Sequence, residues 1–403
     1  MAADSWHVLR LAGDDAEELE RATTEAYERL RKPNASFADL RRPADSQRHR
    51  RVVLCQTVDD AVTTLRKQPS RFVRTAEAPR PAPDRIGFMF PGGGAQHAGM
   101  ATQLYEREPV FRGHFDDCAR RFRDALDLDV HACLDPDVAL SAMERPPLGL
   151  GSLFATSYAL AQVWLARGLR PSLLIGHSLG EYVAATLAGV LELGDAVRLV
   201  ALRAQLMDGL PSGEMLIVQL GHAGLEPLMR PGVSVAAINS PTQCVVSGHV
   251  EAVRALELDL AQREVTVRRL RFGAAAHSEL IEDVLDEFDR LARSIRTRPP
   301  SIPVVSNLSG GWLSSAEAID PSYWTHHLRS PVRFADGLAA ATGAGQVVLL
   351  EVGPGTTLST LARQNGVSPD PVSSLRHPLD PRPEAAVFAL SSGELWIRGV
   401  DVD

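Results

Sequence analysis

The sequence predicts an α/β protein: a parallel sheet between helices, with a small ferredoxin-like insert and an N-terminal α+β unit. Three observations carry this. Short apolar strand candidates at 86–90 and 173–175 alternate with helical patterns, as in a parallel sheet covered on both faces. Between about 213 and 270, four short strand candidates accompany a helix, the content of a ferredoxin-like unit. At 403 residues, 45% hydrophobic and 23% charged, the chain exceeds one compact unit and has apolar side chains for more than one core.

The elements follow in order. Residues 6–11 are strand-like, 14–31 carry apolar and small residues at helical spacing, 52–55 form a second strand and 61–66 a second helix. Between them lies a basic patch of Arg41, Arg42, Arg48, His49, Arg50 and Arg51. It reads as a solvated face, with contact to an acidic partner as the alternative. Residues 75–84, with Pro79, Pro81 and Pro83, read as an extended linker. Strand 86–90 runs directly into Pro91-Gly92-Gly93-Gly94-Ala95-Gln96, and a helix-rich stretch follows to about 170. Its last member, 152–167, is apolar on most faces and is expected to be buried. Strand 173–175 precedes an alanine-rich helix at 181–191. Strands at 215–220, 233–238, 244–247 and 265–270, with a helix at 251–263, make the insert. A helical pattern at 278–291 and strands at 304–305 and 347–351 return the chain to the main sheet. The tail from 370 is punctuated by prolines and ends in Leu395-Trp396-Ile397-Arg398-Gly399.

Composition excludes several classes. A net charge of −8 argues against a nucleic-acid binder. The apolar runs fall short of the ~20 residues of a membrane span, and the first twenty residues carry acids where a signal peptide is apolar. Cys55, Cys118, Cys133 and Cys244 form no CxxC pair and no disulfide framework, so a reducing cytoplasm is the expected compartment. His131 and Cys133 have no second ligand pair near them; they read as surface or core residues, and no metal site is expected.

The strongest chemical signal is Gly176-His177-Ser178-Leu179-Gly180-Glu181, a buried strand running through G-x-S-x-G straight into a helix. That is the context of a nucleophile elbow, with the serine held on a tight turn at a helix N-terminus. A serine needs a base. His177 adjoins it, and its side chain is expected to diverge on so sharp a turn. His277, after Ala274, Ala275 and Ala276, is the better candidate, although the residues alone also allow a structural histidine. Arg203 sits among apolar neighbours at helical spacing, with no acid in reach on its own face. A buried arginine needs a partner, either a bidentate substrate carboxylate or a distant internal acid.

These motifs stand together with Arg203-Ala204-Gln205-Leu206-Met207, Asn239-Ser240-Pro241, Val246-Ser247-Gly248, Ala276-His277-Ser278, Tyr323-Trp324, Pro331-Val332-Arg333-Phe334 and Glu351-Val352-Gly353-Pro354-Gly355. In this order they resemble the malonyl-CoA:acyl-carrier-protein transacylases, and above all the acyltransferase domains of polyketide synthases. The resemblance implies an α/β-hydrolase-like core, with 86–213 and 277–370 as a large subdomain and 214–276 as the small ferredoxin-like one. Residues 1–85 resemble the linker between ketosynthase and acyltransferase, and 371–403 the post-acyltransferase linker. The chain is therefore expected to be a segment of a larger synthase, in which Trp396 is either docking surface or core.

By the same resemblance, Ser178 is the acylated nucleophile, His277 its base, and Arg203 the clamp on a malonyl-type carboxylate. The backbone N–H groups of Gly93 and Leu179 form the oxyanion hole. His327 stands where a backbone carbonyl orients the catalytic imidazole. The substrate is an acyl-CoA of malonyl type, the acceptor an acyl carrier protein, and no bound cofactor is implied. Specificity is implied for Ala274, Ala275, Ala276 and Leu179. The segment ending in His277 matches neither the His-Ala-Phe-His pattern of malonyl selection nor the Tyr-Ala-Ser-His pattern of methylmalonyl selection. Ala276 leaves room for an α-branch, whereas Leu179 resembles the malonyl class. The reading favours malonyl, with methylmalonyl or a larger unit as the alternative. A serine thioester hydrolase and a non-catalytic docking scaffold are the rival functions.

Overall fold

A computed structural model describes the chain except residues 1–5, 41–42, 45, 68–70, 80–84, 271–274, 344 and 403. In chain order the strands are β1 His7–Gly13, β2 His49–Cys55, β3 Val73–Glu77, β4 Ile86–Phe90, β5 Leu173–Gly176, β6 Gly213–Val218, β7 Val233–Ser240, β8 Gln243–His249, β9 Val267–Arg269, β10 Val304–Val305, β11 Val348–Glu351 and β12 Val372–Ser373.

The N-terminal unit is the antiparallel sheet β1-β2-β3. Alternation along β2 divides its side chains between two faces. Val53 and Cys55 pack with Leu19, Leu30 and Leu65 of helices Ala16–Leu30 and Val58–Arg66. Val52 and Leu54 point the other way, onto Ala386, Leu390 and Trp396 of the C-terminal helix Glu384–Ile397. The tail therefore covers the second face of this sheet, and Trp396, 3% exposed, is core rather than docking surface.

Two members of the basic patch are also inside. The Arg50 guanidinium lies over the Trp396 ring at 4.8 Å. Arg51 donates to Glu20 Oε1 at 2.8 Å and to Thr23 Oγ1 at 2.9 Å. A covered strand holds charge where each guanidinium finds acceptors or an aromatic face, so Arg50 and Arg51 do not belong to the expected solvated face. The expected linker at 75–84 also begins as strand, since β3 extends to Glu77; residues 80–84 lie outside the described part.

The main sheet is parallel, in the order β10-β5-β4-β11-β12. β4, β5, β10 and β11 are buried throughout, as expected for strands covered by helices on both faces. Helix Pro146–Ala166 is 21 residues long and apolar enough to cross a bilayer, although no continuous apolar run in the sequence is that long. Gly149, Gly151, Ser152, Thr156 and Ser157 interrupt the run, and all five are buried in the core. Helices Pro109–Leu126 and Leu193–Asp208 flank it.

The insert is the antiparallel sheet β7-β8-β6-β9. Counted within the unit, its strands run second-third-first-fourth, the ferredoxin-like order. Helix Val250–Gln262 packs on it, and its first helix is reduced to the turns His222–Leu225 and Glu226–Leu228. Val332 bridges to Ala237 of β7, which joins the insert to the segment after helix Ser322–Arg329.

Candidate active site

The turn around Ser178 follows from two glycines. A Cβ on Gly176 would lie 2.0 Å from Glu181 N, and one on Gly180 would lie 2.0 Å from Phe90 O. Only glycine lets β5 turn this sharply into helix Leu179–Leu187 while the helix start presses on the end of β4. Between them Ser178 has φ 50° and ψ −111°, a conformation that surrounding structure must enforce.

Ser178 and His277, 99 residues apart, meet here. Ser178 Oγ lies 2.7 Å from His277 Nε2, and His277 Nδ1 lies 2.8 Å from the Ser330 carbonyl oxygen. A carbonyl only accepts, so Nδ1 carries the proton and Nε2 is left to accept the serine hydroxyl. Burial pushes the His277 imidazole well below its ordinary value of 6.5, and the positive charge of Arg203 pushes it further. The neutral, proton-accepting form is thereby favoured.

Arg203, 2% exposed, closes the group: its Nη2 donates to Ser178 Oγ at 2.7 Å. The guanidinium lies 5.6 Å from the centre of the Tyr182 ring. Among the described residues its electrostatic partner is the Tyr182 hydroxyl and no carboxylate, and its Nε and Nη1 lie outside hydrogen-bond geometry. The distant internal acid is therefore not found among the described residues, and two buried donors remain beside Ser178. Three residues from separate parts of the chain thus converge on one point, as expected.

His327 does not orient the imidazole; Ser330 does. Helix Ser322–Arg329 ends before Ser330, whose extended backbone (φ −82°, ψ 158°) turns its carbonyl out of the helix and toward His277. His327 lies inside the last helical turn. Its side chain is buried with Nε2 3.4 Å from Glu181 Oε2.

The glycine-rich turn after β4 lies against the elbow, since a Cβ on Gly92 would fall 2.5 Å from His177 O. Gln96 braces that turn, accepting from Gly94 N–H at 2.8 Å and donating to Met143 O at 3.2 Å. Gly93 is exposed within it, and Leu179 is the first residue of its helix, where N–H groups have no partner within the helix. Ala275 and Ala276 are buried next to His277, at 1% and 4% exposure; Ala274 lies outside the described residues.

The His177 side chain diverges from the serine as expected, its Nε2 lying 2.8 Å from Asn239 Oδ1 of the insert. Asn239, Glu181, Tyr323, Asn307 and Ser330 all belong to the site without having been assigned a role from the sequence. The first three fell within recognised motifs; for Asn307 and Ser330 no sequence signal exists beyond their position after a strand and after a helix. Among the described residues no group of three or more His, Cys, Asp or Glu side chains is arranged to hold a metal ion. His131 is placed between Asp129 and Asp116, at 2.6 and 2.9 Å, and Cys133 is a buried free thiol.

Comparison with known proteins agrees with this architecture. The family model described as acyl transferase domain matches residues 87–377. A component of the phenolphthiocerol/phthiocerol polyketide synthase of Mycobacterium tuberculosis is 41% identical over 326 residues. The match covers 80% of this chain but only 22% of that relative, so the chain spans about a fifth of its length. Among solved structures, the acyl transferase domain of SpnD in complex with 2-(pent-4-yn-1-yl)malonyl is 38% identical. It superposes with a TM-score of 0.90 over 98% of this chain and 96% of that one. A malonyl-transacylase in complex with its type II acyl-carrier protein is 28% identical, with a TM-score of 0.66 over 76% of this chain and 99% of that one. The fold, the family match across most of the length and these relatives lead to one assignment: the chain belongs to the acyl transferase domain family, as a polyketide synthase acyltransferase domain related to the malonyl-CoA:acyl-carrier-protein transacylases.

Proposed function

We propose that this domain moves a malonyl-type acyl group from coenzyme A to the phosphopantetheine thiol of an acyl carrier protein, through an ester on Ser178. His277 Nε2 takes the hydroxyl proton as Oγ attacks the thioester carbonyl. The C–S bond then breaks, and the proton passes to the departing CoA sulfur. In the second half the carrier thiol gives its proton to His277 and attacks the ester, and Ser178 recovers its hydrogen. The pair works as a dyad, with the Ser330 carbonyl holding the imidazole tautomer. The N–H groups of Gly93 and Leu179 are proposed to receive the oxyanion. Each step uses groups of the chain itself, with acyl-CoA as substrate.

One observation carries the acyl class: Arg203 is buried against the nucleophile and has no carboxylate partner among the described residues. A bidentate substrate carboxylate would engage its unused donors and draw Nη2 away from Oγ. It would also fix the acyl ester in an orientation suited to transfer over hydrolysis. A substituted malonyl unit is the second reading, favoured by the small side chain of Ala276 at the base and by the ligand named for the SpnD domain. The carrier partner follows the related transacylase complex, and a neighbouring ketosynthase follows from the flanking units. Four free, buried cysteines accord with a reducing cytoplasmic setting.

Radiolabelled malonyl-CoA tests the reading. A covalent adduct lost in Ser178→Ala is expected, and Arg203→Ala should lower malonyl loading at least a hundredfold while sparing acetyl thioesters. An adduct discharged to water faster than to carrier protein would make the domain a hydrolase. No adduct at all would leave a scaffold, and undiminished malonyl loading by Arg203→Ala would remove the clamp. Competition among malonyl-, methylmalonyl- and ethylmalonyl-CoA decides the extender unit.

A further inference from the structure

Strand β10 runs beside β5 in parallel register, with Val304 opposite Leu174 and Val305 opposite Ile175. Continued by two residues, that register places Asn307 level with His177, at the centre of the nucleophile turn. Strand β10 ends at Val305, so beyond it side chains rather than a strand backbone must serve the polar groups of the turn.

Asn307, 3% exposed, does this with both ends of its amide. Nδ2 donates to the Gly176 carbonyl at 2.7 Å, and Oδ1 accepts the Ser178 N–H at 2.7 Å. One rigid, planar group thus clasps the backbone two residues before the strained residue and at that residue itself. The main chain of Asn307 is fixed in turn. Its N–H donates to Glu181 Oε2 at 2.8 Å, and its carbonyl accepts from Arg333 N–H at 3.0 Å. Glu181, fully buried on the helix that starts at the serine, receives the Tyr323 hydroxyl on its other oxygen. Tyr323 Oη also meets Ser306 Oγ at 2.7 Å, next to Asn307 in the chain.

Arg333 lies three residues beyond Ser330, whose carbonyl holds the base. Between them Val332 is hydrogen-bonded in both directions to β7, N–H to Ala236 O and carbonyl to Ile238 N–H, each at 2.9 Å. Asn307 is therefore attached to the nucleophile through its side chain and to the segment carrying the orienter of the base through its carbonyl. Backbone held in so unusual a conformation persists only where neighbours over-determine it, and placement of reacting groups is sensitive to shifts well below 1 Å.

We propose that Asn307 is a positioning residue, holding the Ser178 backbone in its strained conformation and setting the Ser178–His277 contact. The proposal rests on Ser178 being the nucleophile but not on the identity of the acyl group. Phenylmethylsulfonyl fluoride therefore serves as the probe, because it reports serine reactivity without a thioester. Its sulfonyl sulfur is attacked by Oγ, fluoride leaves, and the hydroxyl proton goes to His277. Saturation kinetics on the full chain, normalised to folded protein by circular dichroism, separate the inactivation rate constant from the inhibitor binding constant. In Asn307→Ala the rate constant should fall at least tenfold while the binding constant stays within twofold of wild type. A residue needed only for folding would lower the melting temperature but leave the folded fraction reacting at the wild-type rate, and that outcome overturns the proposal. If Asn307→Ala does not fold, Asn307→Asp carries the test, since it keeps the acceptor for Ser178 N–H and loses the donor to Gly176 O. Its rate constant should fall at least threefold, and an unchanged value overturns the proposal equally. Wild-type protein unlabelled at Ser178 would instead defeat the nucleophile assignment itself.

Discussion

At the scale of single residues, the site is governed by desolvation. His277 is buried and faces the Arg203 charge, so its imidazole titrates well below 6.5. The serine hydroxyl thus faces a base that stays deprotonated in mildly acidic solution. The acid limb of kcat/KM for acyl loading reports the free enzyme, and it is expected well below 6.5. A limb centred at 6.5 would show an ordinary, solvated histidine. The same shift has a stability consequence of fixed sign. Below 6.5 the unfolded chain binds a proton at this position that the folded chain refuses. This group therefore costs stability as pH falls from 6.5 toward its folded value, and contributes no such penalty above 6.5. Legibility from sequence divides along similar lines. Ser178, His277 and Arg203 were readable because the turn glycines and the ordered motifs mark them. The contact of the Ser330 carbonyl with His277 was not, because a carbonyl carries no side-chain signature and the exact end of a helix decides which one is free. Asn307 was invisible for a different reason: its partners are set by the register of two strands 130 residues apart in the chain.

Among the elements, short buried strands bounded by glycine or by a change of pattern were legible, which covers β4, β5 and the four strands of the insert. β12, with two residues, and β3, which after Val73 is polar or exposed and ends in three exposed residues, were not. The more instructive omission is helix Glu384–Ile397. Its sequence Glu-Ala-Ala-Val-Phe-Ala-Leu-Ser-Ser-Gly-Glu-Leu-Trp-Ile is apolar on most sides and follows three closely spaced prolines, so no amphipathic stripe announces it. It packs against β2, against β12 and against helix Thr102–Arg107 at once, and a helix covered from several directions loses its periodic pattern. What it covers can be measured. Leu54, on β2, is fully buried against this helix, with Val52 beside it. Leu54→Ala removes that packing and leaves a cavity, at a cost of about 2–5 kcal/mol. Thermal unfolding followed by circular dichroism should show the loss, whereas Leu379→Ala, at a residue 85% exposed, should leave stability unchanged.

Across the whole molecule, the same C-terminal helix joins the N-terminal sheet to the catalytic unit, and one buried carboxyl group takes part in the junction. Glu384, 4% exposed, accepts from Ala101 N–H at 2.8 Å and from Leu104 N–H at 3.1 Å, capping helix Thr102–Arg107 from a distant part of the chain. Ala101 is left-handed, with φ 64°, so this helix begins without a side-chain cap of its own and depends on the donated carboxylate. Burial raises the Glu384 carboxyl from 4.5 to about 7, opposed by those two backbone donors. Between these values the folded protein binds a proton that the unfolded chain has lost. The stability this group contributes is therefore fully present below 4.5 and is lost as pH rises through 7. At about 1.4 kcal/mol per tenfold change in proton affinity, a carboxyl moved from 4.5 to about 7 contributes at most ~3.5 kcal/mol. Glu384→Gln mimics the protonated form and cannot ionise, so its melting temperature should stand close to wild type at pH 5. It should rise relative to wild type by several degrees at pH 8, where the native carboxylate is charged and buried. His277 and the other titrating groups are common to both proteins and cancel in the difference, which isolates this junction. A gap independent of pH would mean that Glu384 is ionised throughout, and that the contact between the two units is an ordinary charged cap.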